Sequence, residues 1–444
     1  MNTTDPRKDL TSKAVAVWAG AVIVYIAAIL GRTSFGVAGV EAIERFGVDA
    51  ARIAVFTSVQ VGVYALAQIP VGVMIDRYGP RFMIVSGAVV MATGQIILGL
   101  TQSYPVAIAA RVLIGAGDAT AFLSALRLLP FWFPLRLTPL FTQLTASLGQ
   151  LGQLLSAIPF LWLLHAHGWT VAFSSLGATV VLVALLSSIA VADSPEAARL
   201  SKAERAAHKA EKRAQRIPIS TVLKTVLRSP LCWEAFFIHG FSMFFMLNFT
   251  LLWGVPLLTL GMGVAPSQAG AALTVYTVST MASAPLLGPL SARMGANRDL
   301  AALTMASIHT AVWVWFFTSS TPRSFAVVLV LMVLMGLCTP VSNFGFDTVR
   351  EKMPRTMVAT GTGLGNMGGF VSAMLSLQLV GILLDHSAAG ANYQWEHFRF
   401  AWTAVFATWV ALVIGMVMCR ILIVRQRCRG LSGGVSIVDS SPEK

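Results

Sequence analysis

Three charged side chains stand inside stretches that are otherwise apolar, and they are where chemistry is to be sought: Arg32, Arg111 and Asp118. A charge deep in hydrocarbon costs several kcal/mol on most scales, so a function is the default expectation for each. Burial favours the neutral acid of a carboxyl group, and a nearby cation opposes that. A carboxyl that alternates between two such settings can carry a proton, which makes Asp118 the proton-coupling candidate. Arg111 precedes Asp118 by seven residues and shares its helical face, about 10 Å away along the axis. Arg32 is followed by Thr33, Ser34 and the small residues Gly36 and Gly39. A guanidinium in a dry cavity can hold a carboxylate or phosphate through two parallel hydrogen bonds. Two plainer readings stay open. Asp118 could form a static pair with Arg32 or Arg111 that only fixes packing, and Arg32 could snorkel to the membrane surface.

Other chemistries find no support in the chain. There is no G-x-x-x-x-G-K-[ST] phosphate loop, no H-E-x-x-H and no G-x-S-x-G, so ATP-driven transport and hydrolysis are not expected. The four cysteines, Cys232, Cys338, Cys419 and Cys428, fall in no predicted outer loop, so neither a disulfide framework nor a metal site is expected. No cofactor is expected either.

The elements that must position these residues follow from composition. Hydrophobic residues make up 56% and charged residues 11%, with a mean hydropathy of +0.73; soluble domains carry about 25% charged residues. A bilayer core needs roughly 20 apolar residues per helical crossing. Cutting at charges and Gly/Pro clusters gives twelve spans: 14–40, 53–75, 82–100, 105–129, 133–164, 170–192, 231–258, 269–291, 300–319, 324–346, 357–384 and 399–424. Spans 5 and 11 are overlong, which predicts tilt or a short re-entrant end. Asp118 then lies about 13 residues into span 4, roughly 19 Å from its outer end.

The net charge of +13 reports orientation rather than nucleic-acid binding. With both termini inside, 26 of the 32 Lys and Arg fall on the inner side, including every Lys. That is the positive-inside bias, and it predicts affinity for anionic lipid head groups. The first span is too long for a signal-peptide core and lacks a cleavage site, so a bacterial cytoplasmic membrane is expected. The chain divides into a six-span half over 1–192, a cytoplasmic linker over 193–230, a second half over 231–424 and a tail over 425–444. In the linker, Ser201 and Glu204 fit a capping box opening a short surface helix.

One charged turn returns half a chain later. Gly72-Val73-Met74-Ile75-Asp76-Arg77-Tyr78-Gly79-Pro80-Arg81 aligns without a gap on Gly288-Pro289-Leu290-Ser291-Ala292-Arg293-Met294-Gly295 as G-x-x-x-x-R-x-G. Such a repeat in a hydrophobic chain points to two similar bundles, the architecture of a secondary transporter. The first copy resembles the loop 2–3 signature of the major facilitator superfamily, and Arg111-x-x-x-Gly115-x-Gly117 resembles its fourth-span motif. The resemblance implies an all-α membrane protein of twelve transmembrane helices in two pseudo-symmetric six-helix halves, working by alternating access. Spans 1, 4, 7 and 10 would line a central cavity, with 2, 5, 8 and 11 beside them.

On those helices the candidate solute contacts besides Arg32 and Arg111 are Gln60, Tyr64, Gln150, Gln153, Asn248, Trp253, Tyr276, Asn343, Asn366 and Gln378; each could equally bind helices together. His239 and His309 read as structural. The residues Gly72, Asp76, Arg77, Gly79, Arg81 and Arg293 are expected to form a cytoplasmic latch between the halves. Ala292 stands where the first copy has Asp76, so the latch should be asymmetric.

The expected function is proton-linked uptake of a small organic, anionic solute by a chain working as a monomer. Two alternatives remain: a drug or metabolite efflux antiporter, against which Gln150 after Gly149 departs from the Gly-Pro usual in drug antiporters of the superfamily, and a solute sensor that does not transport. An enzyme would need a catalytic constellation that the chain lacks.

Overall fold

A computed structural model describes residues 9–48, 50–199, 204 and 217–432, and among them there is helix but no strand. In a bilayer every backbone N–H and C=O must be satisfied within the segment, and helices do this. Ten apolar segments are long enough to cross. Two of them, Leu135–Ala190 and Ser267–Phe317, contain 56 and 51 residues, or about 84 and 77 Å at 1.5 Å per residue. Each therefore crosses twice. The first turns back at Gly168 (φ 77°) and the second at Gly295 (φ 48°), in the left-handed region that glycine enters without a Cβ clash.

The twelve spanning helices are α1 (Ser12–Val37), α2 (Ala50–Tyr78), α3 (Pro80–Leu100), α4 (Tyr104–Trp132), α5 (138–167), α6 (169–190), α7 (Pro230–Gly261), α8 (Pro266–Met294), α9 (Arg298–Phe317), α10 (Phe325–Lys352), α11 (Val358–Ala388) and α12 (Trp395–Gln426). One buried apolar cluster holds α1–α6 together, and another is built mainly from α7–α12. Outward-facing aliphatics such as Leu66, Ile158 and Ile189 are exposed, as a lipid-facing surface requires.

The overlong spans contain no re-entrant end. The predicted fifth span begins with a 3-10 turn, Leu135–Leu137, before the helix proper, and contains a π turn at Ser156–Phe160. Pro159 lies in that turn, and its missing N–H frees a carbonyl that the wider turn accommodates. The eleventh is a 31-residue helix. The tenth runs six residues past its predicted end at 346, through a 3-10 turn at Thr339–Asn343 into Phe344–Lys352.

The α2–α3 turn, the α8–α9 turn and the α10–α11 turn share one end of the bundle, here the latch end. In the linker, helix Ile219–Arg228 buries Val222 and Val226 against a small cluster with Cys232, Met357 and Leu364. The predicted capping box at 201–204 lies outside the described residues except for Glu204, as do the last twelve residues of the tail.

Candidate functional site

Helices α1 and α4 bring the two candidate charges into contact. The Arg32 guanidinium donates to both carboxylate oxygens of Asp118, Nε to Oδ2 at 2.6 Å and Nη2 to Oδ1 at 2.9 Å. Asp118 is fully buried, while 23% of the Arg32 side chain is open. Arg32 opens onto a central cavity of about 70 Å³ between the two halves. The glycines of the fourth-span motif set this geometry. Gly115 lies against the Gln60 carbonyl of α2, and Gly117 against the Gly87 carbonyl of α3. A side chain at either position would force α4 away and carry Asp118 with it.

The pair is tied to the other half. The guanidinium of Arg32 lies over the Tyr64 ring, 4.5 Å from its centroid. The Tyr64 hydroxyl accepts from Asn366 Nδ2 of α11 (3.1 Å), which also donates to Gln68 Oε1 (2.7 Å). Tyr64 packs on Phe370 of α11 at 4.6 Å. In the cavity wall, Asn343 of α10 donates to Gln143 of α5 at 3.0 Å, and Gln143 donates back to the Pro340 carbonyl at 2.9 Å.

Of the sequence candidates, Arg32, Tyr64, Gln150, Tyr276, Asn343 and Asn366 line this cavity. Six others do not line it, and of these Gln153 is half-buried and Gln378 exposed. Arg111 is buried over the Phe35 ring, 4.7 Å from its centroid, with Nε and Nη1 lacking a hydrogen-bond partner. Gln60 is buried with no partner for its amide, because Gly115 brings α4 close against it. Asn248 donates to Phe244 of its own helix, and Trp253 donates to Leu377 of α11. His309 of α9 accepts from Trp313 at 2.9 Å, a packing role. His239 lies in the cavity wall. Gln68, Gln143 and Tyr25 were missed by the sequence reading. Each is one polar residue on an apolar helix, and only the neighbouring helices show where it points. Nor are Arg32, Arg111 and Asp118 the only buried charges: Glu234 on α7 and Asp347 on α10 are also buried. Asp347 escaped because the tenth span was ended one residue before it.

The expected latch divides in two. Asp76 accepts from the Ala359 and Thr360 backbone N–H groups (3.1 and 2.8 Å) and from the Thr360 hydroxyl (2.8 Å). It thereby caps the first turn of α11, whose own cap residue Met357 offers no side-chain bond. A carboxylate there also faces the positive end of the helix dipole. Arg127 of α4 donates to Asp76 at 3.0 Å and to the Arg355 carbonyl at 2.6 Å. A Cβ on Gly72 would come within 2.7 Å of the Ala359 carbonyl. These contacts cross between the halves.

Gly79 and Arg81 do not cross. Gly79 (φ 89°) makes the turn against Asp193, which accepts from the Arg81 N–H at 2.8 Å, while the Arg81 guanidinium donates to the Ser188 carbonyl at 2.5 Å. They lock α3 to the end of α6 within the first half. Arg77 is half-buried in the last turn of α2. Arg293 is exposed; it lies past the point where α8 meets α5, at Gly288 against Leu140. With Ala at 292, the acid of the second half comes instead from Asp347, which accepts from Ser291 (2.6 Å) and Arg350 (2.8 Å) and meets Thr142 of the first half at 3.4 Å. The hydrogen bonds joining the halves thus run from Asp76 and Asp347 up to Tyr64, and the latch end is closed.

Among the described residues no cluster of His, Cys, Asp and Glu could hold a metal. The model of the Major Facilitator Superfamily matches residues 21–377. A probable sulfoacetate transporter, SauU of Cupriavidus necator, is 26% identical over 174 residues, covering 39% of this chain and 40% of that protein. A probable L-galactonate transporter of Escherichia coli K12 is 29% identical over 126 residues, 28% of this chain and 27% of that one. The chain therefore matches two fifths or less of either relative's length. The crystal structure of the Escherichia coli fucose:proton symporter FucP superposes with a TM-score of 0.65 at 13% identity, over 92% of this chain and 99% of that one.

Proposed function

Since the chain belongs to the Major Facilitator Superfamily, and so to transporters rather than enzymes, we propose that it is a proton-linked uptake carrier for a small organic anion, working by alternating access in a bacterial cytoplasmic membrane. The observation that carries this reading is the two-pronged contact between a half-open Arg32 and a fully buried Asp118 at the cavity wall. A carboxylate or sulfonate fits the Arg32 fork as Asp118 does. A solute anion entering the cavity competes for the guanidinium, and Asp118 is left without its cation. An unpaired buried carboxylate is costly and is relieved by protonation.

The charge balance then explains coupling. The empty pair sums to zero, and so does the loaded set of Arg32 cation, solute anion and neutral Asp118. Solute without a proton leaves the cavity at minus one, and a proton without solute leaves it at plus one. Either imbalance disfavours closing over a dry cavity, so solute and proton travel together. The two relatives named above are named for organic anions, which accords with the fork of Arg32. The basic latch end is assigned to the cytoplasm, where it also meets anionic lipid head groups, and the arrangement described is then closed to the inside.

Uptake of a panel of labelled carboxylates and sulfonates into proteoliposomes, with and without an inward pH gradient, tests the reading. At least one anion should accumulate only with the gradient. Accumulation of neutral or cationic solutes alone, or gradient-driven expulsion, would contradict it.

A further inference from the structure

His239 is a part of the cavity wall that the proton and anion scheme does not use. Its ring is 2% exposed and stacks on Phe346 at 4.6 Å. Nδ1 sits 3.2 Å from the Ser342 carbonyl, so it is the protonated nitrogen of that contact. The neutral ring then presents the lone pair of Nε2, which is buried and has no hydrogen-bond partner. The neighbouring Asn366 cannot supply one, because its amide donates to Tyr64 and Gln68. Gly369 of α11 makes room for the ring: a Cβ there would come within 2.8 Å of His239 Cδ2 and 3.1 Å of Nε2. The ring is thus held between Phe346 and Gly369, and His239, with its Nε2 buried and unpaired, lines the cavity that Arg32 enters from the other half. An acceptor buried without a donor is destabilising, and a bound group with a donor would relieve it.

We propose that His239 Nε2 accepts a hydrogen bond from a hydroxyl on the solute whose anionic end lies on Arg32, so that the carrier selects hydroxylated organic acids over their deoxy counterparts. The assignment rests on the anion reading above and adds the second point of recognition. Two fixed points on opposite halves also mean that a solute touching both draws the halves together. A site built to bond a hydroxyl discriminates strongly against the analogue that lacks it, because the buried partner is then left unpaired.

The test is binding by the purified full-length protein in detergent, read by calorimetry, for matched pairs: glycolate against acetate, lactate against propionate, and gluconate against hexanoate, with propane-1,2-diol and glucose as neutral controls. In the wild type the hydroxylated member of at least one pair should bind about tenfold or more tightly, on the order of one buried hydrogen bond. His239→Phe keeps an aromatic ring on Phe346 and should bring the two members to within about twofold. His239→Gln can place an amide oxygen near Nε2 and should restore part of the preference. Gly369→Ala, which displaces the ring without removing it, should also erode the preference and serves if His239→Phe does not fold. Anions bound through Arg32 with no hydroxyl preference, or a preference untouched in both His239→Phe and Gly369→Ala, overturn the proposal and leave the anion reading standing. Binding of the neutral controls without any anion, or of no anion in the panel, overturns both.

Discussion

Arg32 and Asp118 are 86 positions apart, and each was legible alone because a charge in an apolar run stands out. Their pairing was not, because helix periodicity gives the face of a helix and not the face of its neighbour. Periodicity put Arg111 on the Asp118 face as well, yet the structure gives it Phe35 for a partner and leaves the carboxylate to Arg32. The fork geometry matters more than the charge. Arg32→Lys keeps a cation beside Asp118 but cannot make two parallel bonds. Solute affinity should fall about tenfold or more, while accumulation driven by a pH gradient persists at saturating solute. Equilibrium binding and proteoliposome uptake on the same variant check this, and loss of coupling with affinity unchanged would reverse the assigned roles.

At the scale of elements, α2 and α11 meet in a seam that joins the halves at the latch end. The repeat G-x-x-x-x-R-x-G announced two similar turns and Ala292 an asymmetric latch, but neither could show which helix Asp76 caps, or that Asp347 stands in for the acid missing at 292. Long-range partners leave no mark on local sequence. The π turn in α5 was better signalled, since Pro159 lies in it. Removing the Asp76 charge from the positive end of α11 costs about 0.3–1 kcal/mol, up to roughly a fivefold shift in a two-state equilibrium. Asp76→Asn should therefore slow turnover more than it weakens solute binding, since it biases the two access states and leaves the cavity intact. Unchanged transport, or lost binding in a folded variant, would count against the seam as the latch. A Cβ on Gly363 would come within 2.4 Å of the Gln68 carbonyl. Gly363→Ala should push α11 off α2 in the same direction and raise the labelling rate of a cysteine placed at Gln143, which is buried at the closed end.

For the whole molecule, composition alone sufficed for a helical membrane protein, the half-chain repeat for two bundles, and cuts at charges and Gly/Pro clusters for both back-turns, since Gly168 and Gly295 fall between predicted spans. Sidedness rests on the distribution of Lys and Arg. In a cysteine-free background, Ala389→Cys at the exposed end of α11 should react with an impermeant thiol reagent in intact cells, whereas Thr225→Cys on the linker helix should react only after permeabilisation. The opposite pattern would invert the carrier in the membrane and turn uptake into export. The central claim is that solute takes Arg32 from Asp118 and that Asp118 then takes a proton. It is tested most directly by mixing an accepted solute with the purified carrier in weakly buffered solution and following pH with an indicator dye. The account predicts uptake of about one proton per solute bound at neutral pH by the wild type, and none by Asp118→Asn with solute still bound. Binding without proton uptake in the wild type, or equal uptake in the two proteins, would contradict it.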